Sequence, residues 1–105
     1  MNSKDYEIAK RLKERLSEVA QILELRVFGS RARDSQYEYS DMDIFIKVVH
    51  LDKNLKNTIL DIVWEVGFEN FMVISPLICT KEEIENTPLR SSPIIKNIFE
   101  EGVKV

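Results

Sequence analysis

The sequence predicts an α+β fold in which a small mixed β-sheet is flanked by helices. Apolar residues recur at helical spacing in two long segments, and three shorter apolar runs have the composition of strands. Helices and strands alternate along the chain, which favours a sheet with helices packed on it. With 105 residues, of which 44% are hydrophobic, the chain is expected to form a single domain over residues 1–105.

The first half of the chain is predicted to contain a long helix, two strands and a connecting turn. Apolar residues recur at three- and four-residue steps along the helix and form its predicted buried stripe, with charged residues between them. This stripe comprises Ile8, Leu12, Leu16, Val19, Ala20 and Leu23. Ser30 is a favourable N-cap for the turn, and the second strand is nearly all apolar, which is typical of a central strand. The predicted bounds are 3–23 for the helix, 25–28 for the first strand, 31–34 for the turn, 34–40 for a loop and 43–49 for the second strand.

The second half is predicted to contain a long helix, an edge strand and two shorter helices. Gly67 is expected to end the long helix. Pro76 cannot donate to a β-ladder, which indicates an edge strand or a bulge. Cap residues stand directly before proline at Thr87 and Ser92, a pattern typical of helix starts. The predicted bounds are 51–66 for the long helix, 71–79 for the strand, 80 to about 86 for a helix opened by a capping box, and 93–101 for a helix closed by Gly102. Residues 103–105 are expected to form either a short strand or a frayed end.

Net charge and cysteine content restrict the function and the compartment. The net charge is −3 and the pI about 5.2, which argues against non-specific nucleic-acid binding and predicts no direct nucleic-acid partner. Cys79 is the single cysteine, so no disulfide can form within the chain, and a reducing compartment fits. No apolar run approaches the ~18 residues of a membrane span, and the N-terminus lacks the apolar core of a signal peptide. We therefore expect a cytoplasmic protein without a membrane partner.

The most informative motif is Gly29-Ser30 followed, ten residues later, by Asp41 and Asp43 at the mouth of the second strand. Side chains two positions apart on a strand project to the same face, and two carboxylates on one face suit Mg²⁺. Gly29 permits a close turn, and amide groups after it can hold a phosphate. A phosphate cradle facing a carboxylate pair is the minimum apparatus for moving a nucleotidyl group from a nucleoside triphosphate.

The residues of this motif also have simpler interpretations. In isolation, Asp41 and Asp43 are typical of a solvated turn before a strand, and the upstream Gly-Ser is what favours a metal site. Gly29-Ser30 suits an ordinary strand-to-helix connection as well as a phosphate. Arg31 and Arg33 are equally suited to contact a phosphate or to lie on the surface.

Four other groups are not expected to take part in the chemistry. His50 lies beyond the far end of the second strand, roughly 20 Å from the carboxylates at about 3.3 Å per residue. Cys79 is predicted to be a small buried residue. Tyr37 and Tyr39 are expected to pack the loop onto the body of the protein rather than to stack on a base. The fourth group, predicted to be core, is an apolar cluster of Trp64, Phe68, Phe71 and Met72.

Two segments resemble the signature of the minimal nucleotidyltransferases of the DNA polymerase beta-like superfamily: Gly-Ser-Arg-Ala-Arg from Gly29, and Ser-Asp-Met-Asp-Ile from Ser40. The resemblance covers residues 25–49 closely, and the order of elements extends it over nearly the whole chain. It implies the polymerase beta-like fold, ATP as substrate, and Mg²⁺ bound by Asp41 and Asp43 as catalytic residues. It also implies that Gly29, Ser30 and Arg33 bind the nucleotide phosphates, with Arg31 as the less favoured arginine.

Short stand-alone members of this family resemble antitoxins paired with a helical ribonuclease toxin of the HEPN type, and some transfer AMP to a toxin tyrosine. The resemblance therefore implies a protein adenylyltransferase whose partners are such a toxin and a nucleoside triphosphate. The alternative is an antitoxin that neutralises its toxin by binding, with a vestigial nucleotide site. A transferase for a small hydroxyl acceptor is disfavoured, because those relatives carry an extra helical domain. An exposed edge strand also makes homo-oligomer formation an expectation.

Two departures from the family pattern bear on activity. The family has a third acidic residue on the later strand, whereas residues 71–79 contain no Asp or Glu. Ser75 is expected at that position and Glu69 lies just before the strand, and both are poor substitutes. The missing carboxylate favours the binding-only alternative. Asp34 stands where many relatives have Gly, which is unfavourable near phosphates unless it faces Arg31 or solvent.

Overall fold

A computed structural model of the chain describes residues 1–34 and 40–105, and its strands form one mixed sheet with helices on both faces. The helices are α1 (Ser3–Ser17), α2 (Lys53–Glu69), α3 (Lys81–Asn86) and α4 (Pro93–Glu101), and the strands are β1 (Ile22–Phe28), β2 (Met42–Val48), β3 (Ile74–Thr80) and β4 (Val103–Lys104). Two 3₁₀ turns cover Gly29–Arg31 and Pro88–Ser91. The predicted α+β class, with a mixed sheet flanked by helices, is confirmed.

The sheet has the order β3-β2-β1-β4, so the apolar strand β2 lies inside it, as predicted. β1 pairs antiparallel with β2 and β4, whereas β2 and β3 run parallel. Alternate residues of β1 and β2, such as Val27 and Ile44, pack against α1 and α2. On the opposite face, Phe45 packs with Ile84 of α3 and Ile98 of α4. Each face of β2 is therefore covered by its own pair of helices.

The first helix is shorter than predicted, and the first strand is longer. α1 ends at Ser17 rather than at residue 23, and β1 begins at Ile22 rather than at residue 25. Val19 and Leu23, which were predicted on the buried stripe, are 43% and 37% exposed. The prediction was wrong because the apolar residues after the helix continue its spacing by chance, whereas pairing of Ile22 with Val48 makes this segment a strand.

The second long helix does not end at Gly67, because α2 continues to Glu69. A Cβ atom at Gly67 would lie 2.6 Å from the Met72 carbonyl oxygen. The missing side chain therefore lets the chain fold back against the helix that it has just left. β3 begins at Ile74 rather than at residue 71, and Phe71 has a φ of 54°, which interrupts an extended strand.

The prediction that the aromatic residues of α2 belong to the core was also wrong. Trp64, Phe68 and Phe71 are 67%, 69% and 100% exposed, whereas Met72 is half-buried against the core. Trp64 and Phe68 are one helical turn apart, on a stripe distinct from the buried residues Ile59, Val63 and Val66. The structure therefore leaves an aromatic surface where the sequence predicted packing.

The predicted caps at Thr80, Thr87 and Ser92 and the edge position of β3 are confirmed, whereas the predicted loop over residues 34–40 lies largely outside the described residues. The Thr80–Glu83 capping box opens α3, and the side chains of Thr87 and Ser92 cap the elements that begin with proline. α4 ends at Gly102, and β3, which contains Pro76, lies at the edge of the sheet. Among the described residues, no helix is long and apolar enough to cross a membrane.

Candidate functional site

The end of β1 and the start of β2 meet at Gly29 and Asp43. Gly29 has a φ of 74°, a conformation that residues with a side chain rarely adopt, and it opens the 3₁₀ turn Gly29–Arg31. A Cβ atom at Gly29 would lie 2.5 Å from Oδ2 of Asp43. Glycine is therefore required twice here, once for the backbone turn and once for room beside the carboxylate.

Ser30 lies within this turn and does not cap it. The N-cap position belongs to Phe28, which makes no side-chain cap hydrogen bond, so the predicted Ser30 cap and the turn over residues 31–34 are corrected. The turn begins at Gly29, two residues earlier than predicted. Phe28 still pairs with Asp43 across the sheet, so Gly29 is the first residue at which the chain can leave the strand and bend. Ser30 is consequently the residue next to Gly29, the glycine that approaches the Asp43 carboxylate.

Asp41 and Asp43 flank the buried residue Met42 at the start of β2. Asp41 is exposed and lies just before the strand, whereas Asp43 is half-buried within it, and the two carboxylates are close enough to interact electrostatically. Burial and the charge of Asp41 raise the pKa of the Asp43 carboxyl, while Arg33 opposes this shift. The two carboxylates thus interact unfavourably with each other, and a cation between them would remove that repulsion.

The later strand supplies no third carboxylate. Ser75 pairs with Asp43 in the parallel ladder between β2 and β3, so it occupies the neighbouring place on the same face. Glu69 is held elsewhere, because its carboxylate accepts hydrogen bonds from Arg15. Within residues 1–34 and 40–105, no cluster of three or more His, Cys, Asp or Glu side chains is arranged to hold a metal ion. Two carboxylates still suit Mg²⁺, which commonly takes its other ligands from water and substrate phosphates.

The two arginines after Ser30 have different environments. Arg33 is half-exposed, with its Nη1 atom 3.6 Å from a carboxylate oxygen of Glu101, and its charge acts on Asp43. Arg31 is buried, and its guanidinium donates to both carboxylate oxygens of Asp5 and to the Ser40 carbonyl. Arg33 is therefore the arginine available to a phosphate, whereas the hydrogen-bonding groups of Arg31 are engaged within the fold.

Three other residues considered in the sequence, His50, Cys79 and Asp34, lie apart from the carboxylates or are engaged elsewhere. His50 follows the far end of β2, and Cys79 is buried, which together with Glu83 raises the pKa of its thiol. The Asp34 carboxylate accepts a 2.8 Å hydrogen bond from the Met1 amino group. Tyr37 and Tyr39 lie outside the described residues. His50, Cys79 and Asp34 therefore add no group to the Gly29–Asp43 site.

A groove of about 1150 Å³ lies on the α1–α2 side of the sheet. Trp64 and Phe68 form part of its wall and stack with ring centroids 5.2 Å apart at an angle of 11°. Phe71 and Val73 continue this wall towards β3. The Val73 carbonyl accepts a 2.9 Å hydrogen bond from the Met42 amide, so the aromatic wall and the carboxylates lie at the same end of the sheet.

Two features of this region were not found from the sequence. Asp5, the buried partner of Arg31, is 26 residues away from it in the chain, and no local pattern marks such a pair. The exposed aromatic wall did leave a signal, because Leu60, Trp64 and Phe68 recur at four-residue steps beside the buried stripe. The second stripe makes the apolar face of α2 wider than one core contact requires, and this excess is the signal that could have pointed to an apolar surface.

Comparisons with known proteins identify the family and the fold of the chain. A family profile described as "Nucleotidyltransferase domain" matches residues 6–105. No curated protein matches the chain in sequence. Among solved structures, a toxin-antitoxin with AMP-PNP is 15% identical with a TM-score of 0.60, and the match covers 90% of this chain and 70% of that one.

Two further solved structures share the fold. A putative nucleotidyltransferase from Sulfolobus solfataricus is 16% identical with a TM-score of 0.55, covering 93% of this chain and 76% of that one. A mutant of the toxin-antitoxin MntA-HpeT is 14% identical with a TM-score of 0.60, covering 99% of this chain and 72% of that one. At these identities the similarity establishes the fold.

Proposed function

This chain belongs to the nucleotidyltransferase domain family, and we propose that it is a Mg²⁺-dependent nucleotidyltransferase that uses ATP to adenylylate a tyrosine of a HEPN-type toxin, as the antitoxin of that pair. The observation that carries the proposal is the contact between the Gly29 turn and Asp43, with Asp41 beside it. Family membership supports transferase activity, and two of the similar structures are toxin-antitoxins. The single-domain organisation over residues 1–105 is part of the same proposal.

Each residue of the site has a proposed role. Asp41 and Asp43 bind the metal ion, which when bound neutralises phosphate charge and orients the triphosphate. The backbone of Gly29 and the Ser30 hydroxyl bind the terminal phosphates. Arg33 pairs with a phosphate oxygen, since its guanidinium is half-exposed beside Asp43.

The transfer itself is a displacement at the α-phosphorus. The tyrosine oxygen of the acceptor forms a bond to this phosphorus, the bond to the bridging oxygen of pyrophosphate breaks, and the hydroxyl proton goes to solvent. The chain contributes mainly orientation and charge to this reaction, and positioned charges supply most of the acceleration in phosphoryl transfer.

The exposed aromatic wall supports a protein acceptor. Trp64, Phe68 and Phe71 are 67%, 69% and 100% exposed, and at roughly 150–250 Å² per aromatic side chain they present about 500 Å² of apolar surface. A patch of that size matches the largest apolar patch of an ordinary monomer, which is often functional, and would supply more than half of the about 800 Å² that each partner buries in a standard interface. The wall lies at the carboxylate end of the sheet, so a toxin that covers it also lies near the site.

Ser75 favours a second candidate function, an antitoxin that acts by binding alone. It occupies the place next to Asp43 where a third carboxylate would stand, and a hydroxyl is a much weaker metal ligand. In that case the nucleotide site is vestigial, and the surface that contacts the toxin carries the function. The two candidates differ in whether neutralisation requires ATP.

The test is transfer of label from [α-³²P]ATP to a candidate HEPN toxin, in Mg²⁺, by the wild-type chain and by Asp41→Asn/Asp43→Asn. We expect labelled toxin with the wild type and none with the double variant, because the variant lacks both charged metal ligands. A toxin whose acceptor tyrosine is replaced by phenylalanine should stay unlabelled.

Isothermal titration of ATP, with and without Mg²⁺, precedes the transfer assay. Metal-dependent binding that is lost in the double variant supports the nucleotide site. Full transfer by the double variant would overturn the enzymatic proposal. Inhibition of the toxin ribonuclease without ATP, by wild type and double variant alike, would establish the binding-only candidate instead.

A further inference from the structure

Arg31 connects the first turn of α1 to the segment that enters β2. Its Nη1 atom donates to both carboxylate oxygens of Asp5 at 3.0 Å. Its Nε and Nη2 atoms donate to the Ser40 carbonyl at 3.0 Å and 2.7 Å. Every nitrogen of the guanidinium therefore has a partner in the fold, on two elements that are far apart in the chain.

This contact is buried and has a defined orientation. The side chains of Arg31 and Asp5 are 7% and 2% exposed. A charge at that depth is costly unless it is paired and hydrogen-bonded, so the Asp5 carboxylate and the Ser40 carbonyl together make burial of the guanidinium tolerable. Asp5 is itself held, since its amide donates to the side chain of the α1 cap Asn2 at 2.8 Å.

The contact of Arg31 with Ser40 fixes the backbone next to Asp41, whose two neighbours in the chain, Ser40 and Met42, are both hydrogen-bonded. Ser40 directly precedes Asp41, and Met42, directly after Asp41, donates its amide to the Val73 carbonyl at 2.9 Å. Asp41 lies outside the strand, so the ladder does not position it. Its backbone is held from one side by Arg31 through Ser40, and from the other side by β3 through Met42.

We propose that Asp5 and Arg31 are positioning residues that set the Asp41 carboxylate against Asp43 by holding the Ser40 carbonyl. The proposal rests on the proposed function, because it assigns Asp41 a metal ion. Arg31 also belongs to the Gly29–Arg31 turn, so one residue links the proposed phosphate-binding turn to the proposed metal ligands. A displacement of Arg31 would therefore affect the phosphate-binding turn and the metal ligands together.

The main test is Arg31→Lys. Lysine keeps a positive charge beside Asp5, but it lacks the planar fork that reaches a carboxylate and a carbonyl at once. We expect wild-type circular dichroism and cooperative unfolding, together with Mg²⁺-dependent ATP binding that is weaker by about 10–100-fold, as is usual when a partner of a metal ligand is lost. Higher Mg²⁺ concentration should recover part of the binding.

The matched control is Arg15→Lys. Arg15 pairs with Glu65 and Glu69 on the surface between α1 and α2, so this variant makes the same change of side chain in a contact that does not reach Ser40. We expect it to bind Mg²⁺ and ATP as the wild type does. Asp5→Asn serves as a second variant, which keeps the donors of Arg31 to Ser40 but removes their counter-charge, and we expect a larger loss of stability than of binding.

A readout without ligand separates this proposal from the proposed function. Amide hydrogen exchange of Asp41 and Met42 in the free chain should become faster in Arg31→Lys and stay unchanged in Arg15→Lys. Unchanged exchange at both amides in Arg31→Lys would overturn the positioning role, whatever the binding result. Absence of ATP binding by the wild type would instead count against the proposed function, while the exchange result would still decide the role of Arg31.

Discussion

Replacing Gly29 by alanine tests the closest contact of the candidate site. The Gly29 φ of 74° lies in the left-handed region, and the new Cβ atom would begin 2.5 Å from Oδ2 of Asp43. Ordinary van der Waals contact begins at 3.4 Å, so the carboxylate must retreat by about 0.9 Å. The substitution therefore moves a proposed metal ligand without removing it.

The structure gives a magnitude for each consequence. Holding a residue with a side chain in the left-handed region costs about 1–2 kcal/mol, and in a chain of this size each kcal/mol lowers Tm by about 4–8 °C. The clash falls on the flexible end of a side chain, so it adds little to the loss of stability. A displacement of about 1 Å at a reacting group typically costs about 100-fold, and we expect a loss of that order in Mg²⁺-dependent ATP binding.

Thermal unfolding and isothermal titration of ATP in Mg²⁺ measure the two effects separately. Ile59→Val is the matched control, because it removes a buried methyl group on the α2 side of the sheet. Its expected loss in free energy of unfolding, about 0.5–1.5 kcal/mol, is similar to that of Gly29→Ala. It should lower Tm while leaving ATP binding unchanged. Wild-type affinity in Gly29→Ala, measured at a temperature where the variant is folded, would refute the reasoning.

Three further predictions concern the carboxylates and the aromatic wall. Because burial and Asp41 raise the pKa of Asp43, the folded chain binds that proton more tightly than the unfolded chain, and stability falls as pH rises through this pKa. At neutral pH, Asp43→Asn should therefore be more stable than the metal-free wild type, whereas in strong acid the two should be equally stable. The variant should also fail to bind Mg²⁺-ATP. Equal denaturation midpoints of variant and wild type at neutral pH would contradict the predicted gain in stability. Ser75→Asp should strengthen Mg²⁺-dependent ATP binding by about tenfold, because it adds a carboxylate beside Asp43. If Ser75→Asp and Ser75→Ala bind ATP with equal affinity in Mg²⁺, residue 75 lies outside the metal site. The double variant Trp64→Ser/Phe68→Ser should change the free energy of unfolding by roughly 0.5 kcal/mol or less, since both rings are mostly exposed. As interface anchors, the two rings should nevertheless be needed for toxin binding, which we expect to weaken by about 30-fold or more. The control is Ile94→Ser, at another exposed apolar residue, and equal toxin affinity of the double variant and the control would exclude the wall as an interface.

Local signals predicted much of the fold because they act between residues a few positions apart. The Thr80–Glu83 capping box joins residues within one helical turn, and it is present where the sequence placed it. Prolines after Thr87 and Ser92 began their elements for the same reason. Gly29 could be recognised as a turn residue next to a strand, since glycine adopts a positive φ at little cost.

The errors occurred where a distant partner decides the structure. The residues between Ser17 and Leu25 fit helix or strand by their spacing, and the antiparallel pairing of Ile22 with Val48 decided for the strand. Glycine is typical of a helix end, which is why Gly67 was predicted to stop the helix. In the structure it lies inside the helix, because the Met72 backbone packs so closely against it that a side chain would not fit. The aromatic side chains of α2 are apolar enough for a core, and only the packing of the helix showed which of its stripes is covered.

The sequence by itself determined the α+β class, the caps at Thr80, Thr87 and Ser92, and the presence of a Gly-Ser turn upstream of two aspartates at the start of a strand. These depend on backbone preference and on side-chain periodicity, both of which are local. Only the tertiary structure decided that Ser75 stands beside Asp43, that Arg31 is buried on Asp5 while Arg33 stays half-exposed, and that Trp64 and Phe68 face outwards. Each of these depends on which strands pair and which helix faces are covered, and burial between elements distant in the chain is what selects among residues that look alike in the sequence.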